Sequence, residues 1–162
     1  MARCSLCAKT LKPTTTTQAV KVGRVSVTVT GVPALRCTGC REVFTDYHDL
    51  KRAELRVAEL VILSGYANGD SFRFLRHTLG MRANNLARFM GTTPETISRW
   101  ERGTRPVDVM TWIVLSLLVV GQISHDEMRR DDIRRGRDPD ARKLLEVVAN
   151  PKALPTRIRL AS

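Results

Sequence analysis

All four cysteines of the chain fall into two pairs with the same spacing, Cys4 with Cys7 and Cys37 with Cys40. In a Cys-x-x-Cys pair, a tight turn brings both sulfurs to one metal ion, and two such pairs supply the four thiolates of a tetrahedral zinc site. A site closed by four protein ligands has no open position for a reactive water, so its expected role is structural. Four unrelated cysteines or a redox dithiol are the alternatives, but neither explains two equal spacings that flank one predicted β segment.

A second group of candidate residues lies in an arginine-rich segment with the pattern of a helix-turn-helix. On the predicted helix that starts at Thr93 and ends at Gly103, Glu95, Arg99 and Arg102 follow the i, i+4, i+7 spacing of one outward face. Ile97 and Trp100 lie on the opposite side, toward the core. An outward arginine that reaches O6 and N7 of guanine is the commonest base-specific contact, so we expect Arg99 to read sequence and Glu95 to accept from cytosine N4. Further candidates for base or phosphate contacts are Thr93, Thr96, Ser98, Arg102 and Arg105.

The segment between the cysteine pairs is predicted to form a β-hairpin. It alternates valines with small, polar or basic residues, which is the period-two pattern of a strand. Gly23 and Arg24 are expected to form the turn, and Gly31 with Pro33 to end the second strand before the second cysteine pair. The hairpin would then be closed at its base by zinc.

Capping and stop residues predict five helices after the cysteines. The first is expected to join the cysteine module to a compact helical unit, which contains the other four. The expected limits are Thr45 to Gly65, Asp70 or Ser71 to Gly80, Ala83 to Gly91, Thr93 with Pro94 to Gly103, and a last helix that follows Pro106.

Length and charge indicate how the chain is organised. Its 162 residues carry a net charge of +11, which favours a polyanionic partner such as nucleic acid. The segment 46–68 is close to neutral, whereas the segments on both sides of it are basic. We therefore predict a mainly α protein with a small N-terminal β zinc module and no single shared core. Its parts would be a zinc-binding module at 1–45, a linker helix at 46–68, a helix-turn-helix DNA-binding domain at 69–120 and a charged C-terminal extension at 121–162.

The sequence gives no indication of secretion, membrane insertion or catalysis. Residues 1–10 lack the apolar core of a signal peptide, and the longest apolar run, 113–120, is far shorter than the roughly 20 residues that span a bilayer. A cytoplasmic protein is expected, and reduced thiols there favour metal binding over disulfides. His48, His77 and His125 lie on separate predicted elements, an outward helical face is expected for each, and no set of nucleophile, base and acid is evident. We therefore expect no enzymatic activity.

The stretch Leu-Ala-Arg-Phe-Met-Gly-Thr-Thr-Pro-Glu-Thr-Ile-Ser-Arg-Trp-Glu-Arg-Gly, which ends at Gly103, resembles the Xre (Cro/CI-like) helix-turn-helix family. Together with the cysteine pairs and the linker helix, the chain resembles the MqsA family of antitoxins, whose N-terminal part is called YgiT-type. The resemblance implies structural zinc on the four cysteines and base reading by Arg99. It implies the same role for Glu95, at a position where the family can carry asparagine. It also implies a homodimer that represses its own operon at a palindromic operator, and a zinc module that binds a ribonuclease toxin.

The chain departs from these families at two places. Many Xre domains open the second helix with Ser-Gln for capping and phosphate contact, whereas this chain has Arg82 and Ala83. The phosphate contact would then come from Arg82, Asn84 or Asn85, or be absent. The extension 121–162 has no counterpart in the MqsA family, and we consider three roles for it: wrapping a toxin, extending the dimer, or forming a solvated appendage.

The last predicted helix is apolar on nearly every side, which is more than a small helical core requires. We predict that it forms part of a homodimer interface, with burial beneath the tail of the same subunit as the alternative. Its apolar residues include Trp112, Ile113, Leu115, Leu117, Leu118 and Val119.

Two functions fit these expectations. The first is a sequence-specific repressor that is the antitoxin of a type II toxin-antitoxin system and autoregulates its operon. The alternative is a stand-alone zinc-containing regulator of the Xre family without a toxin partner. In both, double-stranded DNA is the predicted ligand, and in the second the zinc module would be a further DNA or dimer contact.

Overall fold

The computed structural model describes residues 2–128 and 157–159. A small sheet forms first along the chain, and five helices follow it. The elements are β1 (Leu11–Val22), β2 (Val25–Cys37), β3 (Val43–Phe44), α1 (Tyr47–Ser64), α2 (Gly69–Thr78), α3 (Ala83–Phe89), α4 (Pro94–Glu101), α5 (Val109–Met128) and β4 (Arg157–Arg159).

The sheet is built on the predicted hairpin, which is confirmed. β1 and β2 pair antiparallel from Leu11 opposite Cys37 to Val22 opposite Val25. Gly23 lies in the turn with a φ of 58°, a conformation that glycine adopts without a steric penalty. The other edge of β2 pairs antiparallel with β3 at residues 35 and 36 and parallel with β4 at residues 28–30. β2 is therefore the central strand.

The second strand runs on through Gly31 and Pro33 to Cys37, so the prediction that these two residues end it is wrong. The register shifts between Thr16 and Thr17 of β1, where Gly31 is the extra residue of a bulge with a φ of 77°. A glycine in this conformation bends a strand without ending it. The sequence signal of a strand end was therefore the signal of a bulge.

Two predicted N-caps differ from the observed ones. Asp46, and not Thr45, caps α1, because its carboxylate accepts a hydrogen bond of 2.7 Å from the backbone N–H two residues later. Asn68, and not Asp70 or Ser71, caps α2, because its side-chain oxygen accepts from the Ser71 N–H at 2.8 Å. In both cases several capping residue types lie side by side, and propensity does not choose between them.

The other predicted helix limits are confirmed to within one or two residues. Thr93 caps α4, and Pro94 is its first residue. Left-handed glycines follow the ends of the first four helices, as helix-stopping glycines do. They are Gly65, Gly80, Gly91 and Gly103.

One hydrophobic core extends from the hairpin into the helices, so the prediction of two modules without a shared core is wrong. The inward valines of β1 and β2 belong to the same buried cluster as residues of all five helices. The turn also meets α2, since a Cβ on Gly23 would overlap the side chain of Asp70. The near-neutral charge of 46–68 describes only the solvated face of this segment. Its buried face determines how the segment packs. The buried residues that join the two parts include Val20, Val27, Val29, Val32, Ala53, Val57, Val61, Phe72, Leu75, Trp112 and Leu115.

The last helix, α5, extends to Met128 and thus past the predicted domain limit at residue 120. Asp108 precedes it, and its carboxylate accepts from the backbone N–H of Thr111 at 2.9 Å. That hydrogen bond and a second from the Thr111 hydroxyl lower the pKa of Asp108. Most of the extension 121–162 lies outside the described residues. None of the helices in the described part of the chain has the length and apolarity needed to cross a membrane.

Candidate metal centre and nucleic-acid interface

The two Cys-x-x-Cys pairs fold into turns with the same local geometry. The Cys4 N–H donates to the carbonyl of Lys9 at 2.8 Å, and the Cys37 N–H donates to the carbonyl of Glu42 at 2.9 Å. Each bond joins a cysteine to the residue five positions later. Two segments far apart in the chain thus adopt one backbone arrangement.

The two turns also match in the hydrogen bonds that reach their sulfurs. In each turn, the N–H two residues after the first cysteine points at its Sγ, from Leu6 to Cys4 at 3.4 Å and from Gly39 to Cys37 at 3.3 Å. The residue after each second cysteine has a positive φ, 58° for Ala8 and 63° for Arg41. Positive φ is uncommon outside glycine, and its recurrence at equivalent positions marks a conformation imposed by the turn.

The base of the hairpin brings the two turns together. The backbone N–H and the hydroxyl of Thr38 both donate to the Thr10 carbonyl, at 3.1 and 3.0 Å. The sulfurs pair across the turns, with 3.7 Å between Cys4 and Cys40 and 3.3 Å between Cys7 and Cys37. Cys4 and Cys37 are buried, while Cys7 and Cys40 are more exposed.

These positions fit a metal ion with four sulfur ligands. The four Sγ atoms all lie within 4.8 Å of one another. Thiolates at about 2.3 Å from one tetrahedral zinc lie roughly 3.8 Å apart, which agrees with the observed separations. Within residues 2–128 and 157–159, this is the one group of three or more His, Cys, Asp or Glu side chains close enough to hold a metal ion.

The cysteines affect one another's ionisation. Burial raises the pKa of Cys37, but the Gly39 N–H and the neighbouring thiols outweigh it and lower the value to about 6. At Cys40 the Glu42 N–H lowers the pKa, but desolvation and the three other cysteines raise it to about 12. A divalent cation bound between the sulfurs would supply positive charge that favours the thiolate form of a cysteine.

The predicted DNA-contacting residues all lie at the surface of the helical part. Ile97 and Trp100 are buried on the opposite side of α4, as predicted. Most of the predicted contact residues are exposed, and the rest are half-buried. The exposed ones are Thr93, Glu95, Arg99, Arg102, Arg105, Arg82 and Asn84, and the half-buried ones are Thr96 and Ser98.

Some of these side chains already have partners within α4. The Thr93 hydroxyl accepts from the Thr96 N–H at 3.2 Å and lies 3.1 Å from the Thr96 hydroxyl, so both residues serve the helix N-terminus. Nε of Arg102 donates to the carbonyl of Ser98 at 3.2 Å. In contrast, the side chains of Glu95 and Arg99 have no hydrogen-bond or ion-pair partner among the described residues. They are the most available groups on this face.

A buried ion pair that was not predicted from the sequence connects α4 to α2. Nε of Arg76 lies 2.6 Å from Oε1 of Glu101, and each side chain is only 8% exposed. Nη1 of Arg76 also donates to the Met81 carbonyl at 2.7 Å, and Nε of Arg73 lies 3.2 Å from the other oxygen of Glu101. The three-residue spacing of the two arginines on α2 was the available signal, although spacing does not reveal burial.

The three histidines are exposed on their helices, as expected. They are His48 on α1, His77 on α2 and His125 on α5. Nε2 of His77 lies 3.2 Å from Nη2 of Arg76, and no two of the three lie on the same helix.

The helix α5 is buried on one side and apolar on its exposed side. Trp112, Leu115 and Val119 belong to the core. On the exposed side, Val109 is 59%, Met110 65% and Leu117 45% accessible. An apolar stripe along one helix is larger than the isolated apolar residues that protein surfaces normally carry.

No protein-family model matches the chain, and no curated protein matches it significantly.

Proposed function

We propose that the protein is a sequence-specific DNA-binding repressor in which α3 and α4 form a helix-turn-helix and α4 is the recognition helix. The observation that carries the proposal is the two-sided character of α4. Its inner face is fixed by Ile97, Trp100 and the ion pair of Glu101, whereas Glu95 and Arg99 lie free on its outer face. A rigid helix with unpaired polar side chains is what reading of base edges requires.

The surroundings of α4 support this assignment. α3 ends at Phe89, before the left-handed Gly91, and α4 begins at Pro94 behind the Thr93 cap, so the two helices are joined by a short turn. The resemblance of this stretch to the Xre family and the net charge of +11 favour the same ligand.

We expect Arg99→Ala to weaken binding to the operator by about 1–3 kcal/mol and to relax preference at one base pair, because a base-reading side chain is lost. Arg105→Ala should weaken binding to all sequences alike and reduce the salt slope by about 1, because Arg105 is assigned to phosphate. Gel shifts on the chain's own promoter, with single-base variants and a salt series, measure both effects.

Arg56→Ala is the matched control, since this exposed arginine lies on α1 and pairs with Glu59. It should leave base preference unchanged, and it should lower the affinity for DNA only by the small amount expected from the loss of one distant charge. Equal effects of Arg56→Ala and Arg99→Ala on base preference would contradict the assignment of α4.

For the metal we propose structural Zn²⁺ held by Cys4, Cys7, Cys37 and Cys40, the one group of cysteine, histidine and acidic side chains in the described residues that brings its ligand atoms together. All four positions of a tetrahedral ion would be filled by protein sulfur, so the ion would stabilise the fold and would not activate water. We therefore propose a non-enzymatic protein that acts in the cytoplasm, where thiols stay reduced.

The exposed apolar stripe of α5 supports a homodimer. A symmetric dimer fits a palindromic operator, with half-sites about one helical turn, or roughly 34 Å, apart.

We expect Leu117→Glu to shift the protein from dimer to monomer at micromolar concentration, because two carboxylates would be buried in an isologous interface. Light scattering measures the mass. Arg88→Glu, an exposed site on α3, is the control for added negative charge, and a monomeric unsubstituted protein would refute the dimer.

The antitoxin role rests on the resemblance to the MqsA family and on the charge of the zinc module, which has 7 basic residues and 1 acidic residue within 1–45. None of these basic side chains forms an ion pair among the described residues, so they are available to a partner. The alternative remains a stand-alone regulator whose zinc module contacts DNA or the second subunit. Co-expression with the product of the adjacent gene distinguishes the two, because an antitoxin copurifies with that product and suppresses its toxicity.

A further inference from the structure

The cysteine cluster combines two exposed sulfurs with two buried ones. Cys7 and Cys40 are exposed, whereas Cys4 and Cys37 are buried. Each exposed sulfur lies beside a buried sulfur of the other turn, at 3.3 Å from Cys7 to Cys37 and at 3.7 Å from Cys40 to Cys4. An accessible thiol next to a second thiol is typical of redox-sensitive cysteines, because the second thiol resolves the oxidised form of the first.

The surroundings of the exposed sulfurs are basic. Lys9 lies next to Cys7, since a Cβ on Gly39 would meet both the Lys9 side chain and the Cys7 Sγ. Arg41 directly follows Cys40. Neither cation has an ion-pair partner among the described residues. A nearby cation favours the reactive thiolate, and it also stabilises the hydroxide that leaves when a thiolate attacks a peroxide.

We propose that this cluster is a peroxide-responsive switch, in which oxidation exchanges the bound zinc for two disulfides that cross between the turns. The pairs are Cys7 with Cys37 and Cys4 with Cys40. The proposal rests on the structural zinc proposed above and is independent of DNA binding. It is consistent with a reducing cytoplasm, where the zinc-bound form is the resting state and peroxide the signal.

The chemistry of each disulfide uses one hydrogen peroxide. The exposed thiolate attacks the peroxide and becomes a sulfenic acid, while the O–O bond breaks and hydroxide leaves. The buried thiolate of the other turn then attacks the sulfenic sulfur, so that the S–S bond forms and a second hydroxide leaves. Two electrons pass from the sulfurs to the peroxide, and the two hydroxides take protons from solvent to give water. The sulfurs of a disulfide are no longer thiolates and no longer hold a metal ion.

The fold confines the change to the base of the hairpin. Sulfurs that lie roughly 3.8 Å apart around zinc approach to about 2 Å in a disulfide, so the two turns must close on each other. The upper part of the hairpin is held by the shared core through Val27 and Val29. Both tryptophans of the chain, Trp100 and Trp112, are buried in that same core. Oxidation should therefore reshape the basic end of the hairpin and leave the helical part folded.

The test treats the full chain, loaded with zinc, with hydrogen peroxide. A chromogenic chelator should detect the release of about one zinc ion per chain. Tryptophan fluorescence should stay unchanged, because both indole rings report the core. A thiol reductant and added zinc should restore the starting form.

Tryptic mapping without reduction identifies the disulfides. Trypsin cuts before and after each turn, which leaves both cysteines of a turn in one peptide, residues 4–9 or residues 37–41. Disulfides between the turns join these two peptides, with a mass lower by two hydrogen atoms for each bond. Disulfides within the turns leave the peptides separate. Fragmentation of the joined peptides gives the pairing.

Lys9→Glu tests the role of the basic surroundings without removing a sulfur. It should slow zinc release by peroxide about threefold or more, because the cation beside Cys7 is replaced by an anion. The zinc content before treatment should be unchanged. Lys21→Glu is the matched control, since this exposed lysine lies near the other end of the hairpin and the substitution changes the charge equally. Equal slowing by both variants would contradict the role of Lys9.

Zinc content before oxidation separates this proposal from the structural zinc on which it rests. An untreated chain without zinc would contradict the structural ion. A zinc-loaded chain that keeps its metal at peroxide concentrations that oxidise glutathione would contradict only the switch. Disulfides within each turn, or sulfinic acids without disulfides, would also overturn the switch.

Discussion

Cys37→Ser is expected to abolish stoichiometric zinc binding and to unfold the base of the hairpin. The cysteine is buried and lies 3.3 Å from the sulfur of Cys7, so its loss removes one of four converging ligands. Structural zinc contributes on the order of 10 kcal/mol or more to the folding of small modules, and loss of one ligand forfeits much of it. A loss of about 4 kcal/mol would lower the melting temperature by roughly 10 °C. Metal analysis and thermal unfolding measure the two effects.

Ser5→Ala is the matched control, because Ser5 is exposed in the same turn but offers no sulfur. It should leave both zinc content and melting temperature unchanged. Treatment of the unsubstituted protein with a strong chelator should reproduce the effect of Cys37→Ser. Metal-free protein with an unchanged melting temperature would show that the four cysteines do not hold a structural ion.

Glu101→Ala is expected to destabilise the fold by about 3–5 kcal/mol, because it leaves the buried guanidinium of Arg76 without its counter-charge. The same substitution should also weaken the proposed operator binding, since α4 loses its ion pair with α2. Chemical denaturation gives the stability, and a gel shift gives the binding. Glu59→Ala is the matched control, because its partner Arg56 is exposed, and we expect a loss of about 1 kcal/mol or less.

A double variant separates charge burial from specific pairing. Arg76→Met with Glu101→Leu replaces the ion pair by apolar groups, and such replacements are often close to neutral. We expect the double variant to be more stable than Glu101→Ala alone. If Glu101→Ala costs no more than Glu59→Ala, the buried pair does not position α4.

The hairpin and the five helices could be predicted in order from the sequence because their signals are local, whereas the short strands β3 and β4 were not predicted. Alternating valines predicted the hairpin, and Thr93 with Pro94 predicted the start of α4, as the structure confirms. The exact caps were missed where suitable residues are adjacent, because side-chain oxygens then compete for the same N–H. Gly31 by itself does not distinguish a bulge from a strand end, since both use the same residue types.

Long-range arrangements were harder to predict. The clustering of the four sulfurs followed from equal spacing, and the structure brings them within 4.8 Å. The shared core, the buried pair of Arg76 and Glu101 and the pairing of β4 with β2 depend on residues far apart in sequence. Nothing in the local pattern of β4 indicates which edge it joins. Local charge and spacing indicate the character of a helix or strand face, but the elements that pack against that face are set by the tertiary structure.

The packing of Val27, Val29 and Val32 against the helices has a consequence for how this architecture can evolve. A metal-bearing hairpin that folded by itself could be transferred between regulators by recombination. Here, joining the hairpin to an unrelated helical unit would expose its valines to water. It would also expose the face of α1 that the hairpin buries. We therefore expect substitutions at these positions and on the facing helices to be coupled, and the two halves to be inherited as one unit.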